Sequence, residues 1–495
     1  MNQSVPLYRV ASVRAIDACC IQQQGISGYT LMRRAAAAAL QSLRGRWPQA
    51  QQVAVLCGPG NNGGDGYVLA RLAVQQGLSV ACVAITDPKA LRGDAAQAYA
   101  DWAALEQEPA ELAAALGGCD VVIDALLGTG VSRAPEGVLG SAIEAINACD
   151  APVLSLDVPS GLDADSGTAP GSVVQATATV SFIARKLGLY TGRGPALSGE
   201  VVLAELEAPQ ACLSAQPVAA WLVDAQVLQL LGPRPRDAHK GHHGHVLVVG
   251  GDQGMPGAAL LAARAAGRVG AGWVSVATHH SHAALLPMAQ PEVMCHGIAE
   301  ITQLEPLLER ATVLAIGPGL GQQDWGQQLL KRLLKWPGPK IIDADGLNGL
   351  AQAPQHRDDW ILTPHPGEAA RLLDCDIATV EADRVAAARG IQQRYGGICI
   401  LKGAGSIICD AQQVFICGGG NPGMASGGMG DVLTGVLAGV LAQHLPKKGE
   451  ALQAAVLGVC AHAAAADQAA ADTGERGLLA SDVIAALRRV MNPCK

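Results

Sequence analysis

The chain has 495 residues, of which 49% are hydrophobic, 16% charged and only 3% aromatic, a composition that excludes disorder and leaves the cores to Ala, Leu, Val and Ile. At about 150 residues per domain, two large domains fit best. A net charge of −8, with no stripe of Lys and Arg, argues against duplex nucleic acid as a partner.

Residues 1–14 carry no apolar targeting core, and no window reaches about 18 uncharged apolar residues. The 14 cysteines are scattered, with no C-x-x-C pair and only Cys19-Cys20 adjacent, which predicts reduced thiols rather than a disulfide frame. A soluble, cytoplasmic homo-oligomer acting on small molecules is expected, with neither nucleic acid nor membrane as partner.

In chain order, helices are predicted over 11–21 and 29–43, then strands over 53–57, 78–84, 121–125 and 153–156, with helices over 65–77 and 136–148 between them. This alternation predicts an α/β fold whose parallel sheet is covered by helices, with functional loops beyond the carboxyl ends of the strands. Residues 208–217 lose periodicity and gain prolines, which marks a domain boundary. A second series follows, with strands over 245–249, 273–277, 312–316, 340–342, 360–362 and 398–401. A hairpin is expected over 406–409 and 413–417, then helices over 430–443, 451–471 and 480–490.

Two glycine-rich segments between a strand and a helix carry the strongest functional signal. The first, Asn61-Asn62-Gly63-Gly64-Asp65-Gly66, holds more Asn and Gly than a turn requires. Its backbone amides and the positive end of the following helix suit an anion, and its Asn oxygens suit a sugar, a phosphate or a hard cation. Asp124 and Asp157 each end a buried strand near it, followed by Gly128-Thr129-Gly130 and by Pro159-Ser160-Gly161. The second, Ser426-Gly427-Gly428-Met429-Gly430-Asp431, would offer amides to a transferred phosphoryl group while Asp431 takes a proton from an attacking hydroxyl.

Lys402-Gly403-Ala404-Gly405-Ser406 is a weaker phosphate signal that a surface hairpin explains nearly as well. His365, bracketed by Pro364 and Pro366, sits rigidly beyond a strand and suits a substrate contact. The cluster His239-Lys240-Gly241-His242-His243-Gly244-His245 lacks the partners of a zinc site and reads as a loop leading to a strand, with Lys240 a candidate ligand contact. His279, His280 and His282 read as loop and helix-start residues.

In this order the motifs resemble the bifunctional NAD(P)H-hydrate repair enzymes of bacteria, over nearly the whole chain. The first half is similar to the epimerase domain through residues 60–66, Asp124, residues 128–130 and residues 157–161. The second is similar to the ADP-dependent dehydratase domain of the ribokinase-like superfamily, through residues 239–241, 317–321, 343–345, 365–368, 402–403 and 426–431. The resemblance implies an α/β chain of two domains, an N-terminal Rossmann-like αβα sandwich over 1–215 and a C-terminal ribokinase-like domain over 218–495.

It further implies that the first half interconverts the R and S hydrates of NADH and NADPH, and that the second dehydrates the S form with ADP, giving AMP and phosphate. On the family pattern Asn62, Asp124 and Ser160 would bind potassium. Asn61, Asn62, Gly63, Gly64, Asp65, Gly128, Thr129, Gly130, Val131, Ser132, Arg133, Ala134 and Asp157 would surround the hydrate, with Asp157 the candidate acid/base. In the second half Gly319, His365 and Asp431 would contact the hydrate, and Lys402, Gly403, Ala404, Gly405, Ser406 and Gly430 the nucleotide. Magnesium is expected there with few dedicated protein ligands. The alternative is a vitamin-precursor kinase in the second half joined to a non-catalytic binding module.

Overall fold

The computed structural model describes residues 4–131, 133–444 and 450–493. It divides into two compact units, Pro6–Ala220 and Trp221–Lys495, the latter together with Met1–Val5. The units meet a few residues beyond the proline-rich segment read as the boundary. Within that segment Gln210–Ser214 is helical, with Cys212 buried.

Strand β1 is Val5–Leu7. The first unit is built on β2 (Gln52–Cys57), β3 (Ser79–Ala84), β4 (Val121–Ala125), β5 (Val153–Leu156), β6 (Ala178–Phe182) and β7 (Glu200–Ala204). They form one sheet in the order β3-β2-β4-β5-β6-β7, parallel at every described pairing. Helices Asn61–Gln75, Gly93–Ala103 and Gly137–Asn147 supply crossovers, as parallel neighbours require.

Because successive strand residues point to opposite faces, Val53, Val55 and Cys57 of β2 enter one core beneath helix Gly28–Arg46. Ala54 and Leu56 enter another with Ile143 and Ile146. From β2 the chain proceeds to β3 on one side and β4 on the other. That reversal opens a crevice at the carboxyl ends of β2 and β4.

Strands β8 (Ala220–Val223), β9 (His245–Val249), β10 (Trp273–His279), β11 (Met294–Ile298), β12 (Val313–Ile316), β13 (Lys340–Ile342), β14 (Trp360–Leu362), β15 (Ile398–Leu401), β16 (Ser406–Cys409) and β17 (Val414–Cys417) follow. The sheet order is β1-β8-β17-β16-β15-β14-β13-β12-β9-β10-β11. The β15-β16-β17 run is antiparallel, as the hairpin reading expects.

Helix Met429–His444 crosses Pro256–Arg268 closely. A Cβ on Gly435 would lie 2.0 Å from the Ala262 carbonyl oxygen, so only glycine permits that approach. Helix Ala451–Thr473, with mean hydropathy 1.2, is apolar and long enough to cross a membrane, but 72% of its apolar window is buried inside the protein. It packs beside Met429–His444 and Ala480–Val490 as a core helix.

One expectation is overturned by the cysteines. Cys19, on helix Val10–Gln22, forms a disulfide with Cys212 across 193 residues of sequence, so the thiols are not all reduced.

Candidate active sites

In the first unit the Asn-rich segment is not a loop before a helix but the helix's own first turns, since Asn61–Gln75 is helical throughout. Its glycines are required by close packing. A Cβ would lie 2.1 Å from the Gly58 carbonyl oxygen at Gly63, 2.6 Å from Met32 Cε at Gly64, and 2.6 Å from Ala125 Cβ at Gly66. These contacts draw the helix start against the ends of β2 and β4. Asn61 is exposed at the tip. No side chain caps the turn, so its amides retain the positive helix end.

Asn62 is buried, and both Oδ1 and Nδ2 lack a protein hydrogen-bond partner. A buried amide without a protein partner is costly, which makes this side chain a candidate ligand contact. Gly128 packs against it, with the Cβ position 3.4 Å from Asn62 Cβ.

Asp124, fully buried at the end of β4, accepts hydrogen bonds from Ser160 N (2.9 Å), Ser160 Oγ (2.5 Å), Ser155 Oγ (2.8 Å) and Leu126 N (3.3 Å). Burial pushes its carboxyl up, against the lowering effect of those bonds. Ser160 Oγ also accepts from Leu127 N at 2.8 Å. One buried carboxylate, a hydroxyl and an orphaned amide oxygen form a hard, low-charge donor set that fits a monovalent cation.

Beyond Gly128, Thr129 is half-buried and Gly130 exposed. Val131 is half-buried, Ser132 lies outside the described residues, and Arg133 is exposed. Ala134 turns away to pack near Gly171, whose Cβ would meet it at 2.8 Å.

Asp157 follows β5 with φ +67, an uncommon conformation for a residue with a side chain. Its Oδ1 accepts from Phe182 N at 3.2 Å and from the ammonium of Lys186. Lys186 is 1% exposed and also donates to the Phe182 carbonyl oxygen at 2.6 Å. Asp65 is buried, and burial, with the charges of Asp157 and Asp17, pushes its carboxyl well above the usual range. Burial likewise raises Asp17 to about 6, against the pull of Lys186. Neither Asp17 nor Lys186 belongs to a short motif. Their signal is a charge set in an apolar stretch, as in Ile183-Ala184-Arg185-Lys186-Leu187.

In the second unit the loops after β12, β13, β14 and β15 bring a different cluster together. Asp343, 2% exposed, accepts Lys402 Nζ at 2.7 Å and Thr434 Oγ1 at 2.8 Å. Burial alone would raise its carboxyl; the Lys402 ammonium and the hydrogen bonds reverse that and hold it below the ordinary value.

Lys402 also lies 3.7 Å from Glu368 Oε2. Burial would lower its ammonium, but Asp343, Glu368 and Asp431 together push it up. Its side chain is therefore engaged with carboxylates beside Gly430, whose Cβ position lies 3.4 Å from Nζ. Asp431, on the first turn of helix Met429–His444, is raised to about 6 by burial and by Asp343, against Lys402.

His365 is 51% exposed and caps helix Pro366–Leu373, accepting from Gly367 N, while Glu368 accepts from His365 N at 2.8 Å. Gly319 has φ +59, and its Cβ position is 2.8 Å from the Met255 carbonyl oxygen. A Cβ on Gly317, in the same loop, would meet the Asp343 carbonyl oxygen at 1.8 Å, which sets the loop beside the acid cluster.

Gly403, Ala404, Gly405 and Ser406 form the turn into β16. Gly403 and Ala404 are exposed, and buried Arg384 donates to the Lys402 carbonyl oxygen at 3.0 Å. Lys240 lies over the Trp273 ring at 5.2 Å. Among the described residues no group of three or more His, Cys, Asp or Glu is placed to hold a metal ion.

Strand-end carboxylates at the carboxyl edge of a largely parallel sheet, gathered separately in each unit, define a two-domain α/β enzyme. The second unit has the ribokinase-like fold: a ribokinase-like superfamily protein of Enterococcus faecalis V583 superimposes with a TM-score of 0.51 at 31% identity, covering 55% of this chain and 95% of that one. Residues 28–188 match the family model of the YjeF-related protein N-terminus, and residues 246–489 that of NAD(P)H-hydrate dehydratase. A bifunctional NAD(P)H-hydrate repair enzyme of Coxiella burnetii is 47% identical over 98% of this chain and 99% of its own length. Its Escherichia coli counterpart is 42% identical over 95% and 90%. The chain belongs to the bifunctional NAD(P)H-hydrate repair enzymes.

Proposed function

We propose that the chain restores hydrated NADH and NADPH, the first unit equilibrating the R and S hydrates and the second dehydrating the S hydrate with ADP. The observation that carries this reading is the separation of two complete acid clusters, one around Asp157 and one around Asp431, in two independent units.

In the first unit Asn61, the helix start, Gly128 to Ala134 and Asp157 would surround the hydrated ring. Asn62, Asp124 and Ser160 would hold a potassium ion, which would supply a positive charge beside the hydrate. The unpartnered Asn62 oxygen supports that assignment.

In the second unit Asp431, raised to about 6, is close to the proton affinity that suits a general base at neutral pH. It would take the proton of the ring hydroxyl as that oxygen attacks the terminal phosphoryl group of ADP. The bond from phosphorus to the AMP oxygen breaks, AMP departs, and the ring carries phosphate, a far better leaving group than hydroxide. The ring nitrogen's lone pair then expels phosphate, and loss of a proton from the neighbouring carbon restores the double bond.

Gly430 and residues Gly403 to Ser406 would present backbone amides to the nucleotide, and Lys402 would add its positive charge beside them. Gly319 and His365 would hold the hydrate. Magnesium would accompany the ADP phosphates and offset their charge.

The test is incubation of mixed hydrates with ADP and magnesium, followed at the absorbance of reduced nicotinamide. Full conversion of both epimers is expected, and conversion of the S form only once ADP is present. A stable phosphorylated product without recovery of reduced nicotinamide would replace this reading with a kinase.

A further inference from the structure

Asp157, after β5, and Asp65, on helix Asn61–Gln75, are near enough for their charges to interact, and their surroundings differ. Both protein hydrogen bonds to Asp157 fall on Oδ1, from Lys186 and Phe182, and among the described residues none falls on Oδ2. Asp65 is 9% exposed and accepts no hydrogen bond from a described residue.

The backbone fixes this asymmetry. Tyr8 N donates to the Arg185 carbonyl oxygen at 2.9 Å and Leu187 N to the Tyr8 carbonyl oxygen at 3.0 Å, which locks Lys186 from both sides. Lys186, 1% exposed, is paired with the Asp157 carboxylate, the partner a buried cation requires. Asp65 accepts no such bond, and burial, followed by the charges of Asp157 and Asp17, favours its neutral form against the opposing charge of Lys186. Carboxyl pairs whose surroundings drive their proton affinities apart commonly divide acid and base roles.

We propose that Asp65 is the acid and Asp157 the base of hydrate epimerisation, with Lys186 the positioning residue that decides which of the two carries the proton. This rests on the epimerase reading of the first unit.

The hydroxyl sits on the carbon beside the ring nitrogen. Asp65 gives it a proton, the C–O bond breaks with its electron pair going to the departing water, and the nitrogen's lone pair forms a C=N iminium bond. A water then attacks that carbon from the other face as the C=N pair returns to nitrogen, and its proton passes to Asp157. Exchange with solvent returns the proton from Asp157 to Asp65. No oxidant or nucleotide is consumed.

The test uses the full chain, purified R hydrate and water enriched in oxygen-18, without ADP, corrected for uncatalysed exchange. The wild-type protein is expected to place solvent oxygen in the S hydrate it forms. Equilibration with retention of the original oxygen would overturn the proposal in favour of ring opening at the C–N bond, and needs no variant. Asp65→Asn is expected to slow epimerisation about 10²- to 10⁴-fold, with unchanged amide hydrogen-exchange protection of β2, β4 and β5 reporting an intact first unit. Epimerisation near the wild-type rate in that variant would remove Asp65 as the acid.

For Lys186, loss of the ammonium leaves Asp157 with the Phe182 N–H and with the like charges of Asp65 and Asp17. Lys186→Met should therefore lower kcat with KM little changed and move the acid limb of the pH profile upward, and Lys186→Arg should restore both. A profile that stays in place, or failure of arginine to restore it in a folded protein, would make Lys186 structural. If the wild-type protein does not equilibrate the hydrates at all, the epimerase reading itself falls, an outcome distinct from each of these.

Discussion

Replacing Asp431 with Asn removes a proton acceptor and a buried charge in one step, and the two effects have opposite signs. Burial and the neighbouring Asp343 raise the Asp431 carboxyl from 3.8 to about 6. That elevation disfavours the ionised form in the folded state by about 3 kcal/mol. The unfolded chain releases this proton near its ordinary value, whereas the folded chain keeps it until about pH 6, so wild-type stability falls as pH rises through that interval. At pH 7 the full penalty is present; below about pH 4 it is absent. The amide never ionises.

Asp431→Asn is therefore expected to be more stable than wild type by about 3 kcal/mol at pH 7, with the gap closing as pH falls. Dehydration should drop about 10²- to 10⁴-fold because the hydroxyl proton has no acceptor. Urea titration read by tryptophan fluorescence follows the second unit, since Trp221, Trp273, Trp325, Trp336 and Trp360 lie there and only Trp47 and Trp102 in the first. A pH-independent gap or a less stable variant would refute the electrostatic account. Near-normal turnover would remove Asp431 from the chemistry.

Asp124→Ala should abolish epimerisation and destabilise the first unit on the order of several kcal/mol, because Ser155, Ser160 and Leu126 lose their acceptor; epimerisation indifferent to exchanging potassium for a bulky organic cation would count against the ion site. Reduction of Cys19–Cys212, which closes a 193-residue separation, should cost the first unit up to about 5 kcal/mol by the chain-entropy argument, seen as an earlier urea transition in dithiothreitol. A fragment ending at Ala220 should be more stable than one ending at residue 215, because Ala219 N donates to the Leu7 carbonyl oxygen at 2.9 Å and Ser12 Oγ to that of Pro217 at 3.3 Å; equal urea midpoints would show these contacts to be idle.

What the sequence disclosed follows from how local each signal is. Strands such as His245–Val249 and Val121–Ala125 are continuous apolar runs buried on both faces, so they are legible without tertiary information. Glu200–Ala204 is a half-buried edge strand and Met294–Ile298 is compositionally mixed, so neither stands out from the flanking loops. The glycines at 63, 64 and 66 argue against helix by propensity, yet helix forms because close packing against Gly58, Met32 and Ala125 outweighs a cost of about 1 kcal/mol per glycine.

The same limit governs the sites. Asp124, Asp157 and Asp431 sit in recognisable strand-end or glycine contexts. Lys186 and Asp17 reach Asp157 only through the backbone register of Tyr8 with Lys186, and Cys19 meets Cys212 only through tertiary folding. Lys402 shows how a motif can name a residue and leave its role open. Its glycine turn suggests a phosphate contact, but the carboxylates that engage its ammonium, Asp343 after β13 and Glu368 on helix Pro366–Leu373, are distant in sequence. Lys402 Nζ is already bonded to Asp343, and its charge also acts on Asp431, drawing that carboxyl down against the burial that raises it.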